Sequence, residues 1–470
     1  MGGSSRVTWS VIAGLLVGIR DDRAVAITTL AERGELSRAA RSFLRTEAGS
    51  AVLLLGAAVL ALLWTNLVGG YEEFWHTELT LRLGGTEFGL DLRHWVNDGL
   101  MVLFFLSVGL EISRETTLGE LRGVRALIAP ALGALGGLVV PAGLYLLLNA
   151  GGPGAAAWGV PISTDTAALL GVLALVGPRC PDQLRVFLLA LAIVDDIGAV
   201  LAIALFYTDE VDVVALLLAV GLFACLLGLR FVQFWRTPVY VVIGVVMWLA
   251  VLRSGVHPSV VGVTLGLLVN AYAPRRRDIA RVQLAGRSFL VDPTPGRAAA
   301  AQAAVTEAVS PNERLQRRIQ PWSSYVIVPL FVLANAGVLL TVETLHAAAA
   351  SPVTWGIVLG LVVGKPIGVI IGTWVALRTG LGRVPDTLRW GQLIGGAGLS
   401  GIGFTVALFV TELALDDEAL VAEAKIGILA GSIMAGVIGW LIFRLAGERG
   451  GQCAPSGLPM LPPRPWRPVE

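Results

Sequence analysis

The sequence predicts an all-α polytopic membrane protein. It is expected to have twelve transmembrane helices, inverted three-helix repeats with two broken helices at spans 4 and 11, and a small periplasmic β-hairpin. Three observations carry this. Of 470 residues, 55% are hydrophobic and only 15% charged, where a soluble domain carries about 25% charged residues. Apolar runs of the roughly 20 residues that cross a bilayer recur along the chain, and arginines gather in alternate loops between them. Two runs are interrupted by Gly, Pro, Ser and Thr at corresponding places.

The same composition excludes several classes. A net charge of +1 leaves no electrostatic footprint for nucleic acid. Cys180, Cys225 and Cys453 show neither metal nor disulfide spacing. No CxxC, HExxH, P-loop or GxSxG motif occurs. The chain is therefore expected not to be an enzyme, to need no cofactor, and to draw any transport work from ion gradients.

In chain order, residues 1–44 read as a cytoplasmic, arginine-rich tail with an apolar run over 7–19 that is too short to span. An uncleaved interfacial helix is favoured over a secretory signal, because no Ala-x-Ala cleavage site follows closely. A twelve-helix domain is expected over 45–446, with spans near 47–67, 95–114, 125–149, 156–176, 184–207, 211–229, 236–253, 257–273, 322–341, 354–379, 389–412 and 422–446. After the first span, alternation around Gly84-Gly85 reads as a β-hairpin. A lone hairpin is marginal in water, so pairing with a second copy is expected, an ordered loop being the other reading.

The basic residues test the count. Arg114, Arg122 and Arg125 follow span two; Arg179 and Arg185 follow span four; Arg230 and Arg236 follow span six. Arg275, Arg276, Arg277, Arg281 and Arg287 follow span eight, and Arg378, Arg383 and Arg389 follow span ten. The intervening loops hold Asp209, Glu210, Asp212, Glu343, Glu412, Asp416, Asp417 and Glu418, with few bases. This fits the positive-inside rule with both termini cytoplasmic. The loop 274–321 is read as a partly helical or disordered cytoplasmic insertion, and 447–470, rich in Pro and Gly, as a disordered tail.

Span four contains Pro161-Ile-Ser163-Thr164-Asp165-Thr166, and span eleven Gly395-Gly396-Ala-Gly398-Leu-Ser400-Gly401-Ile-Gly403-Phe-Thr405. Irregular backbone at membrane depth is tolerated only where it lines protein or a cavity. Interrupted helices at matching places in two halves point to a transport site. Spans 3–5 and 10–12 form the two units; they start from opposite sides of the membrane, so the units are inverted.

Mid-membrane charge is scarce: Asp165, Asp195, Asp196 and Lys365, with Asp98, Glu111 and Arg114 in span two. A charge at the bilayer centre costs roughly 2.5–3.5 kcal/mol even on the lenient insertion scale, so such residues usually serve an ion or proton path. Adjacent helical residues point about 100° apart, so Asp195 and Asp196 need not share a partner. The chain has only two lysines, Lys365 and Lys425. Lysine at 365 supplies an amine able to give up its proton on burial, as guanidinium does not. Carboxylate and hydroxyl oxygens suit hard cations, and Asp196, Asp165 and Thr164 form such a set. Proton and cation competing for one site exposed alternately would be exchange. The plainer readings are a structural acceptor for a lone Asp, an assembly ion pair for Asp–Lys, a surface pair for Glu111 and Arg114, and a structural His257.

These residues resemble the NhaA family of bacterial Na+/H+ antiporters over about 45–446. The resemblance rests on Val96-Asn97-Asp98, Gly109-Leu-Glu111-Ile-Ser-Arg114, Ser163-Thr164-Asp165, Val194-Asp195-Asp196-Ile-Gly198, Ser254-Gly-Val-His257, Ala334-Asn-Ala-Gly337, Gly364-Lys365-Pro366 and Gly401-Ile-Gly403-Phe-Thr405. It implies crossed broken helices and a homodimer joined partly by the hairpin. Asp196 is implied as the main Na+ ligand, with Asp165 and Thr164 beside it. Asp195 would pair with Lys365 and exchange protons. Glu111, Arg114, His257 and Asp98 are linked by it to pH regulation. The implied activity is electrogenic export of Na+ or Li+ against H+ across the bacterial inner membrane. One stretch departs from the family: Gln316, Arg317 and Gln320 stand where the family carries acidic and histidine positions, so pH activation is expected to differ. A cation-coupled symporter of a small organic solute is the runner-up. A passive channel is a third reading, disfavoured because interrupted helices suit binding and alternation.

Overall fold

Long runs of Leu, Val, Ala and Ile become helices because, in hydrocarbon, each backbone N–H and C=O must be satisfied within its own segment. The computed structural model describes residues 47–83, 86–118, 124–177, 182–208, 211–232, 237–384 and 388–445. The expected tails at 1–44 and 447–470, and the Gly84-Gly85 turn, lie outside the described residues.

Helices α1 (Glu47–Leu63) and α2 (Tyr71–Trp75) come first, then strands β1 (Glu78–Leu83) and β2 (Thr86–Asp91). The strands pair antiparallel, Glu78 opposite Asp91 and Leu83 opposite Thr86. Next are α3 (Leu92–Thr117) and α4 (Val124–Asn149). A tight 3-10 segment, Ala155–Ile162, leads into α5 (Thr166–Val176), followed by α6 (Asp182–Phe206), α7 (Val213–Phe231), α8 (Thr237–Arg253) and α9 (Ser259–Leu268). Then come α10 (Arg276–Val291), α11 (Pro295–Ala308), α12 (Pro311–Trp322), α13 (Val328–Asn335) and α14 (Val342–Ala350). Last are α15 (Pro352–Arg378), α16 (Trp390–Leu399), α17 (Phe404–Ala414) and α18 (Glu418–Leu445).

Among the described residues seven helices are long and apolar enough to cross a membrane, or nine if each bent pair counts as one span. The chain is a multi-pass membrane protein. The pairs are Ala155–Ile162 with α5, bent by 42°, and α16 with α17, bent by 43°. These are the two runs whose Gly, Pro, Ser and Thr content marks a break.

The expected span 236–253 is met by α8, whereas two others, 257–273 and 322–341, end early: α9 stops at Leu268, and the helical run through Ser323–Ile327 and α13 stops at Asn335. The chain leaves the helix early because side chains take over its backbone partners. Beyond α9, the Val269 carbonyl accepts the Ser113 hydroxyl at 3.0 Å, and Asn312 donates its N–H to the Asn270 carbonyl at 3.4 Å. Beyond α13, the Gly337 N–H donates to the Tyr71 hydroxyl at 3.2 Å and the Leu340 N–H to Asn66 at 2.8 Å. Apolar composition alone does not reveal such substitutes.

Glycines set the closest packing. Gly364, Gly368 and Gly372 recur every fourth residue on α15, against Gly133, Gly136 and Gly137 on α4. A Cβ at Gly368 would strike the Gly136 carbonyl, and one at Gly136 the Gly368 carbonyl. Small residues at this spacing let two backbones touch where dispersion, not water exclusion, drives association. A second such contact joins α3 and α9, where a Cβ at Gly109 would lie 2.5 Å from the Val263 carbonyl. The α4–α15 contact carries Lys365 into the middle of the bundle.

The insertion 274–321 is more regular than expected. Thr294 and Ser310 cap α11 and α12 by accepting the N–H groups of Arg297 and Glu313 at 3.4 and 3.3 Å, each followed by a proline at the first helical position. Proline there costs nothing, since that N–H has no helical partner.

Candidate functional site: an ion path at two helix breaks

The two breaks meet. The chain is extended at Ser163 and Asp165, so their backbone groups need partners from elsewhere. The Asp165 N–H donates to the Ile402 carbonyl at 2.7 Å, and the Thr164 hydroxyl to the Ser400 carbonyl at 2.9 Å. The Asp165 carboxylate caps α5, accepting the Ala168 N–H at 2.9 Å on Oδ1. Its Oδ2 accepts the Thr405 hydroxyl at 2.7 Å and the Thr405 N–H at 3.2 Å. One buried carboxylate thus satisfies the first turns of α5 and α17, whose positive dipole ends favour an anion.

Beside this crossing, the ammonium of Lys365 sits 2.7 and 2.6 Å from the two oxygens of Asp195. Neither side chain has any solvent exposure. The same nitrogen donates to the Ile162 carbonyl, the last before the first break. Lys365 therefore ties α6 and the broken span together. Asp196, one residue on, turns the other way and is only half-buried.

Asp196 lines a cavity of about 470 Å³ together with Asp165, Thr164, Glu111, Arg114 and Thr405. Its outer wall is α12, which supplies Glu313, Gln316, Arg317 and Gln320. Arg114 Nε lies 3.9 Å from Glu313 Oε1. A second cavity of about 530 Å³ holds Asp98, His257, Arg93, Asn97 and Glu412. There His257 Nε2 lies 3.4 Å from Asp98 Oδ1, and Nδ1 lies 2.9 Å from the Ser259 hydroxyl. The four residues grouped by resemblance as regulatory thus divide: Glu111 and Arg114 share a cavity with Asp196, while Asp98 and His257 lie in the other.

Several contributors were not singled out from the sequence. Thr405 is the third carboxylate partner; its signal was a hydroxyl at the start of the second half of a broken span. Glu313 escaped because only its neighbours Gln316, Arg317 and Gln320 drew notice. Phe409, packed against Phe105, Phe331 and the His257 ring with centroids 5.4, 6.0 and 4.9 Å away, lines the second cavity. An aromatic in an apolar run gives no such signal.

Comparison with known proteins identifies a family. The family described as Na+/H+ antiporter 1 matches residues 41–443. A Na+/H+ antiporter NhaA 3 of Frankia alni is 50% identical over 438 residues, covering 92% of this chain and 95% of its own. A Na+/H+ antiporter NhaA 1 of Salinispora arenicola is 47% identical over 428 residues, 91% of this chain and 65% of that longer protein. Among solved structures, the sodium proton antiporter MjNhaP1 of Methanocaldococcus jannaschii aligns over 90% of this chain and 97% of its own, with a TM-score of 0.49 and 13% identity.

Proposed function

The chain belongs to the Na+/H+ antiporter 1 family and exchanges sodium ions for protons, and we propose that it does so by alternating access to a site built on Asp196, Asp165 and Thr164. The observation that carries this reading is the crossing of two helix breaks at Asp165, beside a fully buried Asp195–Lys365 pair, at the end of a cavity that Asp196 also lines. Asp196 offers a carboxylate to the cavity, Thr164 and Asp165 contribute oxygens, Na+ or Li+ competes with the proton on Asp196, and the Asp195–Lys365 pair exchanges protons as the cation enters. Nothing in the comparisons favours a symporter of organic solutes.

The cavity that Asp196 lines lies on the α12 side of the crossing. Arginines in that half of the loops make this the cytoplasmic side of an inner membrane. Residues 45–446 form one antiporter domain of twelve spans, α8, α9 and α13 completing the count. The α4–α6 and α15–α18 units are the inverted halves, each with a break of similar angle. More protons than cations move per cycle, so the exchange is electrogenic, needs no cofactor, and serves sodium export and pH homeostasis. The β1–β2 hairpin joins two copies into a homodimer.

The test is dissipation of a preset ΔpH by Na+, Li+ and K+ across a range of pH in proteoliposomes. Sodium- and lithium-driven dissipation without response to K+ is expected. Equal responses to all three, or none, would sink the assignment.

A further inference from the structure

Between α9 and α12 lies a helical hairpin that the ion path does not use. Helices α10 and α11 pack on each other, with Val282, Ala285 and Phe289 half-buried at helical spacing. The exposed positions of α10 mix Arg276, Arg277, Arg281 and Arg287 with Ile279, Leu284, Leu290 and Val291. Leu284, Leu290 and Val291 are 67%, 81% and 83% exposed. On a spanning helix such exposure simply faces lipid, but α10, with four arginines in 16 residues, cannot span. In water an apolar surface of this kind, set among cations, marks an interaction face.

Charge says what covers it. None of these four arginines has a carboxylate partner among the described residues. The single acid of α10, Asp278, accepts the Arg275 N–H at 3.2 Å and is half-buried. Asp292 is occupied by Arg297 at 3.2 Å. Four unpaired guanidinium groups and a set of aliphatic side chains on one helix match phosphate headgroups above an acyl layer. The tether agrees: α9 ends at Leu268 and α10 begins at Arg276, a gap that reaches at most about 25 Å. The hairpin is held at the bilayer surface, where its effective concentration is high.

We propose that this α10 face is a docking surface for anionic lipid headgroups of the protein's own bilayer, the arginines meeting phosphates and Leu284, Leu290 and Val291 entering the acyl boundary. Docking bears on transport because α12, which starts directly after α11, forms the wall of the cavity that reaches Asp196. An anchored hairpin fixes the position of Glu313, Gln316, Arg317 and Gln320 at that mouth.

The test uses the full chain in nanodiscs, with its native cysteines replaced and a spin label on Leu290→Cys. In phosphatidylcholine alone the label is expected to remain open to a water-soluble relaxation agent. With phosphatidylglycerol added it becomes lipid-accessible, and salt reverses the change. Replacing the four arginines by Gln restores water access, each one removed lowering the docked-to-free ratio about fivefold. Inorganic phosphate added to phosphatidylcholine discs leaves the label in water; shielding by phosphate alone would overturn lipid as the source. Equal water access in both bilayers would overturn the proposal. So would shielding that persists in detergent or survives loss of the arginines, since that marks a protein partner or a second copy. Melting and elution of each variant are checked against the parent, and α10 lies outside the folded bundle, so the comparison holds.

Discussion

Lys365→Met keeps the volume and most of the aliphatic stem of a side chain that is fully buried, and removes only its charge and three donors. What remains is Asp195, also at zero exposure, with both oxygens stripped of an ammonium that stood 2.7 and 2.6 Å away. Breaking such a pair from one side costs about 3–5 kcal/mol, whereas replacing both partners by apolar groups of similar shape is close to neutral. The loss is a large share of the roughly 5–15 kcal/mol that holds a domain together. Lys365→Met is therefore expected to lower the melting temperature in detergent by several degrees. Asp195→Leu alone should do similar harm by stranding the amine, and the double variant should recover most of it. The three variants form a cycle whose coupling reaches several kcal/mol if the two side chains answer mainly to each other. Fluorescence-detected melting of purified protein measures it. Additive losses, or an unchanged melt for Lys365→Met, would refute the claim that this pair fixes the bundle. Transport is a separate readout: the double variant regains stability but not proton exchange.

Four further outcomes follow from other contacts. Asp196→Asn should abolish Na+-driven ΔpH dissipation in everted vesicles while the protein inserts and melts normally, since Asp196 faces the cavity and holds no structural contact comparable to that of Asp195. Thr405→Val removes one of the two Thr405 bonds to Asp165 and keeps the backbone N–H; at about 1 kcal/mol for one such bond, the half-saturating Na+ concentration should rise about fivefold, read from titrations of the same signal. Gly368→Ala drives a methyl into the Gly136 backbone and should reduce folded yield, whereas Gly143→Ala, with nothing within 4 Å, should be harmless in the same expression assay. At the foot of the hairpin, Asp91 lies outside the spans: burial pushes its carboxyl up, but the His94 N–H and the His94 and His76 rings outweigh that and hold it below its usual 3.8. A depressed folded value means stability present above 3.8 and lost as pH falls through the folded value; hydrogen exchange at Thr77–Leu79 should quicken only in that acid window.

The two broken spans and the buried charges Asp195, Asp196 and Lys365 were legible because each violates a strong rule of hydrocarbon solvent. Polar backbone-breakers and charges at that depth are expensive, so they stand out against Leu and Val. The short helices at α9 and α13 were not legible, because what ends them is a partner distant in sequence, Ser113 or Tyr71, and an apolar string reads the same whether helical or extended. The regular insertion was partly legible: Thr294-Pro295 and Ser310-Pro311 are helix starts, and the reading of 274–321 as partly helical or disordered left its regularity open. Glycines 364, 368 and 372 were visible as a period of four, yet only the facing backbone of α4 shows why a side chain there is excluded. The separation of Asp98 and His257 from Glu111 and Arg114 had to wait for the fold, since α3 runs through both cavities.

On α17, Thr405 lines the cavity that reaches Asp196, and Phe409 lines the other. Four helical positions separate them, about 6 Å along the axis. At that step Phe409 packs beside Phe105 and Phe331, with ring centroids 5.4 and 6.0 Å away. A continuous spanning helix could not shift one end by that distance without moving the other. Because the chain between α16 and α17 is not held as a helix, α17 can move as a short rod while α16 stays packed on α18. Its first turn is fastened to Asp165 through Thr405, so motion of the rod carries the ion site with it. In the proposed alternating-access cycle, a cation or a proton at the crossing would change the charge that Thr405 and the α17 dipole meet, and so bias the position of that rod.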